Sequence, residues 1–397
     1  MDIVEIANYF IAFLSVYVVV FYFILLFTYR KNYDEEPPID EDWTPYVSII
    51  VPAYNEEKYI SKCLEMLLNI DYPKERLEII VINDGSTDNT EKEARKFEKY
   101  GVKVYTQKNA GKGAALNHGL RIARGEFIVT MDADSYVMPG TLRQLLAFFK
   151  EDEKVMAVTP AIKIRPSKNL LVELQRIEYL MIIFSRKLLS FIDAVPVTPG
   201  PFSIFRASVF KEVGGFDENN LVEDQEIALR IQKHNYKIKS SVKAEVYTEP
   251  PDNLNDLLKQ RIRWQRGGIR NYWKYKHMIT PEYGDFGLFF IPLNFITLAA
   301  FFVILGLMIN AIINAPYYGQ YILLESIISL GVTPVAIPLF FAGLASVAWL
   351  VLVLSNFKNE KVGIVPIVLY YFFYWYLMLG YNLGLVYKEL KQEKFSW

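Results

Sequence analysis

The chain has 397 residues, too long for one compact core and roughly two or three domain lengths. Its 43 Lys and Arg against 44 Asp and Glu give a formal charge of −1. That balance argues against a nucleic-acid binder, whose domain would be strongly basic. A single cysteine, Cys63, excludes an intramolecular disulfide framework and a Cys-rich zinc site, and three histidines leave little for a His-based metal site.

Hydrophobic residues make up 52% of the chain and charged ones 22%, more apolar than an ordinary soluble domain. The two kinds are segregated. No charge falls within 6–29, 286–324, 326–357 or 362–387, whereas 30–285 carry 76 of the 87 charged residues. A helix needs about 20 apolar residues to cross a bilayer. Residues 1–29 therefore read as an N-terminal transmembrane helix. Asp2 and Glu5 are acidic where a signal peptide would be basic, and no small-residue cleavage site follows. Arg30 and Lys31 put the next residues on the cytoplasmic side by the positive-inside rule.

Residues 30–250 then read as an α/β domain. Val47–Val51 is a buried β-branched run ended by Pro52. A helix follows with apolar residues at Ile60, Cys63, Leu64, Leu67 and Leu68. Strands are expected at 77–82, 102–105 and 127–131, with helices at 88–100 and 114–123. Alternation of this kind predicts a mostly parallel sheet, with ligands at the carboxyl ends of its strands. There the chain places Asn55, Glu57, Asp84, Asp132 and Asp134. A further helix is expected at 170–191, core or amphipathic, and another at 224–232. Residues 251–283 read as an amphipathic interfacial helix: Leu254, Leu257, Leu258 and Ile262 recur at helical spacing among Lys259, Arg261, Arg266, Arg270, Lys274 and Lys276. Residues 284–397 form a C-terminal membrane region of about three spans. Spans are expected near 286–313, 334–356 and 362–387, with a turn at Asn314 to Tyr318. Lys358 and Lys361 fit the cytoplasmic side, but the lysines after 387 then fall outside unless 314–333 crosses once more. The topology of 314–333 and of the C-terminus stays open.

Asp132-Ala133-Asp134 directly follows an apolar strand, and two carboxylates one residue apart can meet one hard cation and the phosphate oxygens it carries. Taken alone, such a pair is a solvated turn. Asp84 closes a second strand at the same sheet edge and favours a metal–nucleotide site. Gly111-Lys112-Gly113 opens a helix and can offer backbone N–H groups and a lysine to phosphate. It lacks the Gly-Lys-Ser/Thr ending of a P-loop, which excludes an NTP-hydrolysing motor of that kind.

In this order, Val51-Pro-Ala-Tyr-Asn-Glu-Glu57, Asn83-Asp-Gly-Ser-Thr-Asp88, Gly111-Lys-Gly-Ala-Ala-Leu-Asn117, Asp132-Ala-Asp134, Val222-Glu-Asp224 and Gln260-Arg-Ile-Arg-Trp264 resemble the successive motifs of family 2 glycosyltransferases of GT-A fold. The last motif resembles the membrane-embedded branch that includes cellulose, hyaluronan, chitin and poly-N-acetylglucosamine synthases. The resemblance covers about 45–275. It implies a Rossmann-like GT-A domain that moves a sugar from a UDP-sugar. It implies that Ala53, Glu57 and Asp84 line the uridine pocket, that Lys112 approaches the nucleotide, and that Asp132 contacts ribose and diphosphate. Asp134 would hold Mg2+ or Mn2+, and Asp224 would be the general base. Glu223, Gln260, Arg263 and Trp264 would gate the acceptor. Thr198-Pro-Gly-Pro-Phe-Ser203 resembles the loop near the acceptor in the same branch.

Elementary chemistry agrees. An inverting transfer needs a base for the acceptor hydroxyl and positive charge at the departing diphosphate. No histidine lies in these motifs, so a carboxylate must be the base. Glu223 and Asp224 also fit simple capping of a helix, and Arg263 and Trp264 an interfacial anchor. Three readings stand. The first is a processive polysaccharide synthase in the cell membrane, with a cytoplasmic catalytic domain, membrane lipid around its spans and room for an accessory subunit. The second is transfer of one sugar to a polyprenyl phosphate or other lipid. The third is a non-catalytic scaffold or transporter, disfavoured because ion-coupled transporters place ionisable groups within their spans.

Overall fold

A computed structural model describes residues 3–318 and 336–391. They divide into two compact units, one of 1–33 with 279–361 and one of 34–278 with 362–397.

The first unit opens with α1 (Ile3–Tyr29), 27 residues long and apolar on all sides. At 1.5 Å per residue that is about 40 Å, enough to cross the hydrocarbon core.

The second unit is built on an eight-stranded sheet formed by described residues. The strands are β1 (Val47–Ala53), β2 (Leu77–Asn83), β3 (Lys103–Thr106), β4 (Phe127–Thr130), β5 (Ser135–Val137), β6 (Val155–Ile164), β7 (Ile204–Arg206) and β8 (Lys237–Thr248). Their order is β3-β2-β1-β4-β7-β6-β8-β5. β1, β2, β3 and β4 run parallel, β7 is antiparallel to both its neighbours, and β6 and β8 pair parallel. The helices between are α2 (Ile60–Leu68), α3 (Thr90–Arg95), α4 (Lys112–Ile122), α5 (Thr141–Glu151), α6 (Leu170–Phe191), α7 (Val209–Val213), α8 (Glu223–Lys233) and α9 (Leu254–Lys274).

The sheet is covered on both faces, as a parallel sheet must be. Val47, Ile49, Val51, Ile79 and Val81 join Leu64 and Leu67 of α2 and Leu142 and Leu145 of α5 in one core. Ile50, Ile80 and Ile82 face the other way, against Ala115 and Leu116 of α4 and Ile227 and Ile231 of α8. This strict alternation explains why β1 reads as a continuous apolar run. The sheet is the mostly parallel α/β architecture expected, but its second half is less regular. β6 shifts register against β8 between Thr159 and Ala161, where Pro160 has no N–H to give the ladder.

The chain then returns to the first unit with α10 (Ile291–Tyr318), preceded by a wide helical turn at Phe286–Phe290, and α11 (Ala336–Asn356). α10 continues through the residues expected to turn at Asn314 to Tyr318. No charge interrupts that stretch, and Pro316 removes only one backbone donor in its last turn. Glu325 lies outside the described residues. Within this unit Phe21 of α1 stacks on Phe289 with ring centroids 3.6 Å apart, and Trp349 of α11 lies 5.5 Å from both Tyr22 and Phe23. The last helix, α12 (Ile364–Leu390), belongs to the second unit and packs on α6 and α9. Among the described residues, three helices are long and apolar enough to cross a membrane: Ile3–Tyr29, Phe286–Asn310 and Ile364–Leu390.

Candidate active site

Two cavities meet at the carboxyl ends of β1, β2 and β4. The first, of about 310 Å3, is lined by Ala53, Glu56, Asp84, Asn109, Gly111 and the shared residues Lys112, Asp132 and Asp134. The second, of about 390 Å3, adds Glu223 and Asp224 from α8 and Gln260, Arg263 and Trp264 from α9 to the same three. Of the residues expected at the site, the fold brings all but Glu57 to one or both cavities.

The first cavity is shaped by loops that follow the strands. Asn55 takes φ +56° after β1. Its side-chain oxygen accepts from Thr87 N at 2.8 Å, tying the β1 loop to the β2 loop. Asp84 does not stand as a spare ligand. Its carboxylate accepts from Gln107 Nε2 at 2.8 Å, Ala110 N at 3.0 Å and Gly111 N at 2.8 Å. It holds the glycine-rich loop whose end starts α4. Gly85 is required beside it, since a Cβ there would lie 2.7 Å from Asn109 N. Glu57 sits outside the cavity: its Oε2 accepts from the backbone and side chain of Asn89, both at 2.9 Å, next to the start of α3. Its neighbour Glu56 takes the inward place. Burial, then the nearby Asp134 and Asp132 carboxylates, push Glu56 up to about 8. In a Glu-Glu pair at a strand end, sequence does not show which side chain turns inward.

Lys112 is the hub between the cavities. Its Nζ lies 2.6 Å from Asp132 Oδ1 and 3.4 Å from Glu223 Oε1. Burial alone would lower its ammonium, but Asp132, Glu223 and Asp224 outweigh it and hold it above its ordinary range. The acidic cluster at the sheet edge therefore has a countercharge that sequence did not locate. Gly200 closes over this pair: a Cβ would fall 2.5 Å from both Lys112 Nζ and Asp132 Oδ1. Only a residue without a side chain lets the Pro199–Pro201 loop approach so closely.

The loop is also fastened to α8, because Thr198 N and Oγ1 both donate to Asp224 O, at 3.2 and 2.8 Å. Glu223 and Asp224 open α8, where the helix dipole favours carboxylates. Both also line the second cavity. Asp224 Oδ1 accepts from Gln225 N at 2.8 Å. Burial raises both carboxyls, and Lys112 opposes it.

α9 carries Gln260, Arg263 and Trp264 on one face, at i, i+3 and i+4. Arg263 Nη1 donates to Leu221 O at 3.0 Å, just before α8. Trp264 has the Arg261 guanidinium 4.3 Å from its ring centroid, and that guanidinium is paired to Glu178 of α6 at 2.6 Å. Further along, Asn271 Nδ2 donates to Val222 O, Tyr275 Oη donates to Glu226 at 2.7 Å, and Arg266 and Arg270 pair with Glu389 of α12. The basic residues expected to face lipid headgroups are thus largely spent on ion pairs that seat α9 within its own unit. Asn253 caps it by accepting from Asp256 N at 3.0 Å.

Other lining residues were not anticipated, chiefly Arg186, Tyr179 and Glu249. Arg186 gave no signal in the sequence, because it falls between Phe184 and Leu188 and off the apolar stripe of α6.

Asp134 tests the fit of a divalent cation. It lines both cavities, has Ser135 Oγ as a hydrogen-bond donor at 3.0 Å, and burial with Asp132 pushes it up to about 6. That unmet negative charge suits a hard cation. Among the described residues no group of three or more His, Cys, Asp or Glu forms a cage. The donor set therefore fits a cation shared with substrate phosphate oxygens rather than one held by protein alone.

The sheet order, with cavities at its carboxyl edge, is that of a GT-A-like fold. Residues 48–214 match the model of glycosyl transferase family 2. It is 33% identical over 234 residues to a poly-beta-1,6-N-acetyl-D-glucosamine synthase of Staphylococcus epidermidis, covering 57% of this chain and 56% of that protein. It is 32% identical over 261 residues to the synthase of the same name from Staphylococcus aureus strain COL, covering 64% and 63%. The match thus spans less than two thirds of these relatives' length. In structure it is similar to a mannosyltransferase from Pyrobaculum calidifontis solved with GDP-Man and Mn2+, with TM-score 0.63 and 22% identity over 97% of this chain and 100% of that one. At that identity the likeness speaks for the fold alone.

Proposed function

We propose that the chain is an inverting, processive membrane glycosyltransferase that moves a sugar from a UDP-sugar onto a growing polysaccharide. The observation that carries the reading is the pair of cavities sharing Lys112, Asp132 and Asp134 as a common wall. The first takes the nucleotide, with Ala53, Glu56 and Asp84 around the base. The second takes the acceptor. The names of the relatives in Staphylococcus point to N-acetylglucosamine as the sugar.

In this reading Asp224 takes the proton from an acceptor hydroxyl. The hydroxyl oxygen bonds the sugar C1 from the face opposite the diphosphate. The C1–O bond breaks, and UDP leaves with its electron pair. Lys112 and Arg263 bring positive charge to the diphosphate side. Trp264 offers an aromatic face to a sugar. A divalent cation, Mg2+ or Mn2+, held by Asp134 would supply Lewis-acid stabilisation of the leaving diphosphate. In the same reading the protein is a multi-pass component of the cell membrane with residues 30–285 cytoplasmic, and its apolar helices and the Arg30–Lys31 pair support this.

The test is to incubate the purified chain in lipid with radiolabelled UDP-N-acetylglucosamine, UDP-glucose and GDP-sugars. Polymer made from a UDP-sugar supports the reading. A single sugar on a polyprenyl phosphate would replace it with the lipid-acceptor alternative, and no transfer from any donor would remove it.

A further inference from the structure

Arg186 is a buried cation for which the mechanism above has no use. It lies near the end of α6, is 7% exposed, and lines the second cavity. Among the described residues its Nη1 has no hydrogen-bond partner. Burial lowers it to about 10 while Asp224 and Tyr179 pull it back up, so it stays charged at neutral pH. A buried guanidinium nitrogen without an acceptor costs stability, and its persistence calls for a ligand.

Two further observations say which ligand. The Gln260 amide lines the same cavity, and its Oε1 is also buried and without a partner among the described residues. A guanidinium only donates, whereas an amide presents either sense. A hydroxyl, which donates and accepts, satisfies both. The charged lining is Asp132, Asp134, Glu223, Asp224 and Glu249 against Lys112, Arg186 and Arg263. With Asp134 given to a cation and Lys112 and Arg263 to the diphosphate, Arg186 stands among Glu223, Asp224 and Glu249, a setting that disfavours an anionic occupant and is indifferent to a neutral one.

Resting on the reading of this cavity as the acceptor side, we propose that Arg186 and Gln260 bind the terminal sugar of a neutral glycan, Arg186 Nη1 donating to one of its oxygens. The contact sets another hydroxyl of that sugar against Asp224.

The experiment compares the full chain in lipid nanodiscs with its Arg186→Met and Arg186→Lys variants. A short N-acetylglucosamine oligomer is the neutral probe, and polyprenyl phosphate in the nanodisc is the anionic one. Binding is followed by tryptophan fluorescence, since Trp264 lines the cavity. UDP binding is measured by calorimetry, and acceptor KM with UDP-N-acetylglucosamine. Arg186→Met should raise the oligomer Kd and acceptor KM about 10- to 100-fold. It should leave the UDP Kd unchanged and raise the Tm of the unliganded protein, with Lys recovering part of the affinity. An unchanged oligomer Kd, an equal loss of UDP binding or a lowered Tm would overturn the proposal. So would an Arg186-dependent affinity for polyprenyl phosphate alone. If native protein transfers no sugar, the enzymatic reading fails by itself, and oligomer Kd and Tm still decide on Arg186.

Discussion

Asp224 is the side chain whose loss should be felt first in turnover. Asp224→Asn keeps the shape that accepts from Gln225 N but cannot take a proton. Transfer should fall by at least about 10²-fold while UDP binding persists, and turnover comparable to native would refute the assignment. Its environment also sets a pH dependence. Burial raises the carboxyl above its ordinary 3.8, against Lys112 of α4 and Arg263 of α9 and together with Asp132. Arg186 of α6 and Glu223 face the same space. The base works ionised, so the acid limb of kcat should lie above 3.8, activity falling as pH drops through it. A limb at or below the ordinary value would contradict the burial. Asp134 predicts that a chelator stops transfer and that Mg2+ or Mn2+ restores it; a chelator-insensitive enzyme would refute that role. Gly200→Ala should cut activity with little loss of stability, because its methyl would push aside the ends of the Lys112 and Asp132 side chains and so displace the charges that both cavities share. Full activity in that variant would mean the loop stands off in solution.

At the scale of elements, the aim of Trp264 depends on how α9 is seated. Arg261 stacks on its ring and is held by Glu178. Glu178→Ala leaves a buried guanidinium unpaired, a loss of about 3 kcal/mol, readable by chemical denaturation. Trp264→Ala should instead weaken acceptor use more than donor binding. A stronger effect on UDP than on acceptor would move the ring to the donor side. The elements themselves were legible where one physical rule governs. β1 and β2 are covered on both faces and so are apolar throughout, and α9 shows its apolar stripe plainly. β7 and β8 were not, because β7 has only three residues and β8 mixes Lys and Ser with its apolar positions. The motif carboxylates could be placed at one sheet edge from their positions after strands. Their partners could not: Lys112 meets Glu223 across more than 100 residues of chain, and Glu56 rather than Glu57 turns inward by backbone detail alone.

For the whole molecule, the division of charge is the governing feature. Three described helices are long and apolar enough to cross a bilayer, while residues 30–285 carry most of the charge. The protein should stay with membranes through alkaline carbonate extraction; release into the supernatant would show that these helices lie on the surface.

Lys112, Asp132 and Asp134 belong to both cavities at once. If the two cavities take donor and acceptor as proposed, a change at any of them is felt by two substrates together, so neither affinity can drift there without disturbing the other. Altered sugar choice must therefore be acquired at positions facing one side only. Tyr54 and Asn109 are such positions on one side, and Ile182 and Val197 on the other. On that reading, a protein engineer seeking a new product should leave the common wall untouched.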